Sequence, residues 1–126
     1  MRAVDTNVLV RLITRDDARQ ASSADAFIAK GAWVPLLALT EAIWVLAAVY
    51  KRSAKDLAIA IEMLLYHEHL VVQDADAVGA ALDLFRSRPS LGFSDCLMLQ
   101  VARKAGHLPL GSFDRGLAKA EGTQKL

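Results

Sequence analysis

Four short strand-like runs, each followed or preceded by a stretch with helical spacing, constrain this chain more than any other feature. The runs are Arg2–Asp5, Ala32–Leu36, His69–Asp74 and His107–Asp114. Between them apolar residues recur three and four positions apart, as in Leu9, Leu12 and Ile13. Parallel strands need a long crossover, and a helix is the usual one, so the alternation specifies an α/β domain on a mainly parallel sheet. Helices are expected over 7–13 and 16–29, then from Thr40 as N-cap with Glu41 in its first turn. Further helices are expected from Ser53 to about Tyr66, over Ala75–Phe85, and over Ser94–Ala105 with Gly106 as the stop. Pro89 and Gly92 break the pattern across Ser87–Phe93. The closing segment, Ala120–Leu126, is too polar to assign.

A length of 126 residues suits one domain, 1–126, with a core of its own. Apolar residues make up 54% and charged residues 23%, the balance of a folded protein. The net charge of +1 offers no global attraction for nucleic acid, so any such binding must come from a local patch. Cys96 is the only cysteine, which excludes an internal disulfide and a thiolate metal site and fits a reducing compartment. Asp5 and Asn7 interrupt the place where a signal peptide would have its apolar core. The longest apolar run, Ala42–Tyr50, falls far short of the roughly 20 residues that span a bilayer. A soluble cytoplasmic protein with no membrane contact is therefore expected.

The acids fall into two groups. Asp16, Asp17, Asp56, Glu62, Asp76, Asp83 and Glu121 sit where solvated helix faces or first turns would place them. Asp5, Glu41, Asp95 and Asp114 instead follow strands or open the helices beyond them, and the carboxyl ends of parallel strands are where such sheets bind ligands. Each has a plain alternative. Asp5 could cap a helix, Glu41 and Asp95 could favour a first turn, and Asp114 could serve a turn. Asp5 poses the sharpest question, because a carboxylate buried at a strand end is costly unless it is paired or binds a cation. Converging carboxylates also call for a cation, and a set of hard oxygen donors suits Mg²⁺ or Mn²⁺. His67, His69 and His107 are expected at surfaces or strand ends and add no zinc site.

In sequence, "VDTNVLVR", "TEAIWVL", "FSDCLMLQVARKAG" and "LGSFDRGL" resemble the PIN-domain ribonucleases over residue 2 to about residue 119. The likeness is greatest to the VapC-like toxins of type II toxin–antitoxin pairs. It implies a three-layer α/β/α PIN-like domain with a central, mainly parallel sheet of four to five strands. It implies that Asp5, Glu41, Asp95 and Asp114 are catalytic and hold the metal, with Thr6 and Asn7 orienting Asp5 and starting the first helix. It implies Ser112 as a hydrogen-bond partner for a carboxylate or the scissile phosphate. Many relatives carry another acid where this chain has Gly116, so one Mg²⁺ is expected and the second site is left open. The implied activity is metal-dependent hydrolysis of structured RNA, tRNA or rRNA, leaving 5′-phosphate and 3′-hydroxyl ends.

Basic side chains should contact RNA phosphates, with Arg11 and Arg115 as the candidates. The resemblance also implies a small VapB-like antitoxin as partner and a homodimer. Trp44 and Tyr50, with Trp33, either fill the protein's own core or offer apolar surface to the antitoxin. The rival readings are an inactive PIN-fold scaffold and a phosphatase using Asp5 as nucleophile. The phosphatase reading lacks its second acid, because Asn7 stands where it would need an aspartate.

Overall fold

The computed structural model describes residues 1–126 and divides into two compact units, Met1–Ala75 and Asp76–Leu126. In the first, β1 (Arg2–Ala3), β2 (Ala32–Val34) and β3 (Leu70–Val72) form a parallel sheet in that order. Four helices accompany it: α1 (Thr6–Thr14), α2 (Ala18–Ile28), α3 (Leu36–Ala48) and α4 (Ala54–Leu65). Period-two burial on the central strand leaves Ala32 and Val34 buried and Trp33 half-buried. Leu9 of α1, Leu46 of α3 and Leu64 of α4 are wholly buried. Asp17 and Ser53 cap α2 and α4, accepting from the amides of Gln20 and Asp56 at 3.0 and 3.2 Å.

Helix α3 begins four residues before the expected Thr40. Pro35 supplies an extended N-cap, and the Leu36 amide donates to the side chain of Gln73, just beyond β3, at 2.9 Å. The cap therefore comes from a neighbouring strand and not from local sequence. Thr40 instead turns its hydroxyl back onto the carbonyls of Leu36 and Leu37.

The second unit contains α5 (Ala75–Ser87, apart from its first residue), α6 (Phe93–Ala105), β4 (Leu110–Ser112) and β5 (Thr123–Lys125). Phe85 of α5 and Phe93 of α6 meet edge to face, their ring centres 6.1 Å apart. Between these helices Pro89–Leu91 forms a short 3₁₀ turn, and Gly92 at φ 79° takes a conformation that a side chain would strain. Strands β4 and β5 pair in parallel, with Leu110 opposite Thr123. All five strands thus pair in parallel, as expected, but through ladders of three and two strands. No helix is long and apolar enough to cross a membrane.

Candidate active site

Asp5 and Glu41 lie on the segments that follow two adjacent parallel strands, β1 and β2. Asp5 is exposed, not buried, and its Oδ1 accepts from the Val8 amide at 3.1 Å, which makes it the N-cap of α1. The capping role expected of Thr6 and Asn7 thus falls to Asp5. Thr6 is free to reach α3, where its hydroxyl donates to Glu41 Oε2 at 2.7 Å. That bond fixes an exposed glutamate beside the residue next to Asp5 and leaves Glu41 Oε1 uncommitted. Because α3 starts early, Glu41 lies beyond its first turn, and the helix dipole does not account for an acid there. Asn7 is exposed on the first turn of α1.

In the second unit Asp95 occupies the first turn of α6 and is half-buried. Two influences oppose one another there. The helix N-terminus favours a carboxylate, whereas burial and, after it, the negative charge of Asp114 raise the Asp95 pKa. Burial and repulsion prevail. Asp114 is exposed after β4, and its Oδ1 accepts from the Leu117 amide at 2.9 Å. Ser112 engages the backbone of Asp114, accepting from its amide at 3.0 Å, and so shapes the turn that presents the carboxylate. At Gly116 a Cβ would stand 3.2 Å from Asp114 Oδ1, so the missing side chain leaves room for that oxygen.

Three of the four acids therefore have local structural roles as well, as a cap, a first-turn acid and a turn residue. One like charge, Asp114, beside a partly desolvated Asp95 is an arrangement that a hard cation relieves, and oxygen donors of this kind fit Mg²⁺ or Mn²⁺. No group of three or more His, Cys, Asp or Glu side chains is placed to hold a metal ion. The residues suit a divalent ion in chemistry, without fixing its geometry.

The two basic candidates differ. Arg11 is held by Gln20 at 2.6 Å, Asp16 at 3.1 Å and the Tyr50 hydroxyl at 3.1 Å, so its guanidinium is already committed. Arg115 is exposed beside Asp114. Tyr50 also donates to Asp16 at 2.7 Å, which ties its hydroxyl into the protein's own network. Trp44, in contrast, is 66% exposed and lies on one helical face with Leu37 and Glu41. Nothing in the sequence marks Gln20, Ser23 or Phe27, which with Asp5 line a cavity of about 410 Å³. Their helical spacing on α2 was the available signal.

Cys96, adjoining Asp95, is fully buried, and burial with the Asp95 charge pushes its thiol pKa up to about 11. Complete burial and a weakly acidic thiol make Cys96 a core residue and argue against a nucleophilic role. Iodoacetamide is expected to alkylate Cys96 far more slowly in native than in urea-unfolded protein. Equal rates would contradict this burial.

A family model described as PIN domain matches residues 2–122. Neither curated proteins nor solved structures returned a match. PIN domains are in general nucleases that use divalent metals.

Proposed function

Since the chain belongs to the PIN domain family, we propose that it is a Mg²⁺-dependent endoribonuclease, the toxin of a type II toxin–antitoxin pair. The observation that carries the catalytic reading is Glu41. It is an exposed acid with no dipole or capping role, held by Thr6 beside the cap that carries Asp5. Asp5, Glu41, Asp95 and Asp114 are the residues that would hold the metal, with Mn²⁺ as a plausible substitute. We take 1–126 as one PIN domain, a reading supported by the extent of the family match.

A bound divalent ion supplies positive charge to the scissile phosphate, a more acidic water, and stabilisation of the leaving 3′-oxygen. The chain's own residues prepare for that chemistry. The cap bond holds Asp5 by one oxygen, and Thr6 holds Glu41 by one oxygen, so each keeps a second oxygen for a ligand. Asp114 is fixed by the Leu117 amide on one oxygen and through Ser112 at its backbone. Arg115 is the better phosphate contact, because Arg11 would have to leave Asp16, Gln20 and Tyr50. Replacing Thr6 by Val should lower kcat by about 10–100-fold with little loss of substrate affinity, since it loosens Glu41 without removing a ligand.

The antitoxin partner is supported by the exposed Leu37 and Trp44 flanking Glu41, apolar surface that the protein's own core does not use. The homodimer, the cytoplasmic location and the choice of tRNA or rRNA belong to the same proposal. Mapping 5′ ends in cells after induction tests it. New 5′-phosphate ends at a restricted set of RNA loops are expected with wild type and not with Asp5→Asn. An unchanged end map would overturn the ribonuclease reading.

A further inference from the structure

The cavity of about 410 Å³ between α1 and α2 lies within the size range of small-molecule sites, about 300–1,000 Å³. Asp5 is part of its lining. Its walls are two helical faces, with Asn7, Val8 and Arg11 on α1 and Gln20, Ser23, Ala24 and Phe27 on α2. The small side chains at 23 and 24, set between Gln20 and Phe27, leave the space open.

The walls are held firmly. Arg2 stacks over Phe27 with its guanidinium carbon 3.9 Å from the ring centre, and donates to the Phe27 carbonyl at 3.1 Å. Arg11 donates through Nε to Gln20 Oε1 at 2.6 Å, which orients that amide and leaves its NH₂ group uncommitted. The Asn7 amide and the Ser23 hydroxyl are uncommitted as well. The ligand chemistry follows from this mixture. Val8, Ala24 and Phe27 offer an apolar floor, while Asn7, Gln20 and Ser23 offer hydrogen bonds along its edges. A phosphate is disfavoured, because Asp5 is negative and Arg11 is already paired with Asp16 at 3.1 Å. A purely aliphatic side chain would cover the apolar lining but make no hydrogen bond to Asn7, Gln20 or Ser23. A flat, neutral heterocycle with hydrogen-bonding edges satisfies both surfaces.

We propose that this cavity receives one unpaired nucleobase of the RNA substrate, next to the phosphodiester presented to Asp5. The inference rests on the ribonuclease reading and adds a source of site selection to it. A base can enter only when it is unstacked, so the preferred substrate is a loop or single strand and not an uninterrupted helix. Asn7, Gln20 and Ser23 are exposed and stay hydrated when unpaired, so discrimination among bases comes only from which edge they can hydrogen-bond and is modest, about tenfold.

The test is an NMR titration of isotopically labelled, metal-free protein with adenosine, guanosine, cytidine and uridine. Saturable shifts at Asn7, Gln20, Ser23 and Phe27 are expected, with about tenfold preference between the best and worst base. Ser23→Leu, at an exposed helix position where leucine is well tolerated, should narrow the cavity, remove one hydrogen-bonding group and weaken those shifts severalfold. The same variant should redistribute the cut sites while RNA cleavage persists. Shifts produced equally by ribose, or shifts unchanged in Ser23→Leu, would each overturn the proposal. The titration needs no turnover, so the two readings fail separately. Metal-dependent cleavage without nucleoside binding overturns only the base site, and nucleoside binding without cleavage overturns the ribonuclease reading.

Discussion

Asp5→Asn is expected to leave the melting temperature nearly unchanged while lowering RNA cleavage by about a hundredfold or more. The two effects separate because one carboxylate has two duties. As the N-cap of α1 it accepts from the Val8 amide at 3.1 Å, and asparagine can accept the same bond. As a metal ligand it contributes negative charge, which asparagine lacks. Loss of a supporting residue around a metal typically costs 10- to 100-fold in affinity or activity, and loss of a ligand should cost at least the upper end of that range, about 100-fold. Asp5→Ala adds a structural penalty, about 1 kcal/mol from the lost cap. Thermal melts of the two variants beside cleavage rates check this. If Asn melts as low as Ala, the capping role is wrong, and if Asn cleaves like wild type, the catalytic role is wrong.

Asp95→Asn should stabilise the metal-free fold, which Asp5→Asn leaves nearly unchanged, and have a similar effect on catalysis. Burial first, and then Asp114, raise the Asp95 pKa above its ordinary value of 3.8. The folded state therefore binds this proton more tightly than the unfolded state. The protonated form carries no penalty below 3.8, and the penalty of ionisation grows as pH rises through the raised value. As pH rises towards neutrality the metal-free wild type takes on that penalty, and an asparagine does not. The variant should consequently melt higher than wild type at pH 7, with the gap closing as the solution is acidified towards pH 4. Added Mg²⁺ should stabilise wild type, by about 2.7 kcal/mol at a hundredfold excess over its Kd, and stabilise Asp95→Asn much less. Equal melting of the two proteins at all pH values would remove the electrostatic argument for a cation beside Asp95.

Much of this organisation could be read from the residues, for identifiable reasons. Local signals gave α2, α4 and α6, because Asp17, Ser53 and the stop at Gly106 act through adjacent backbone. The start of α3 was hidden because its cap is the side chain of Gln73, distant in sequence. Strand β5 was hidden because its polar residues, Thr123–Lys125, pair through backbone with β4 and bury no apolar face. The four acids stood out by their positions after strands and by their family-like surroundings. Their contacts did not, since neither the Thr6–Glu41 bond nor the exposed capping position of Asp5 follows from spacing alone. The assumption that a carboxylate after β1 must be buried was wrong because the chain turns at once into α1, whose free amides meet the carboxylate at the surface.

The most direct test of these acids is RNA cleavage by the purified protein, free of any partner, with the metal removed and then restored. A structured RNA should remain intact in EDTA and be cut when Mg²⁺ or Mn²⁺ is added in excess, with 5′-phosphate and 3′-hydroxyl ends on the fragments. Cleavage that persists in EDTA, or intact RNA in the presence of both metals, would contradict a metal-dependent ribonuclease built on Asp5, Glu41, Asp95 and Asp114.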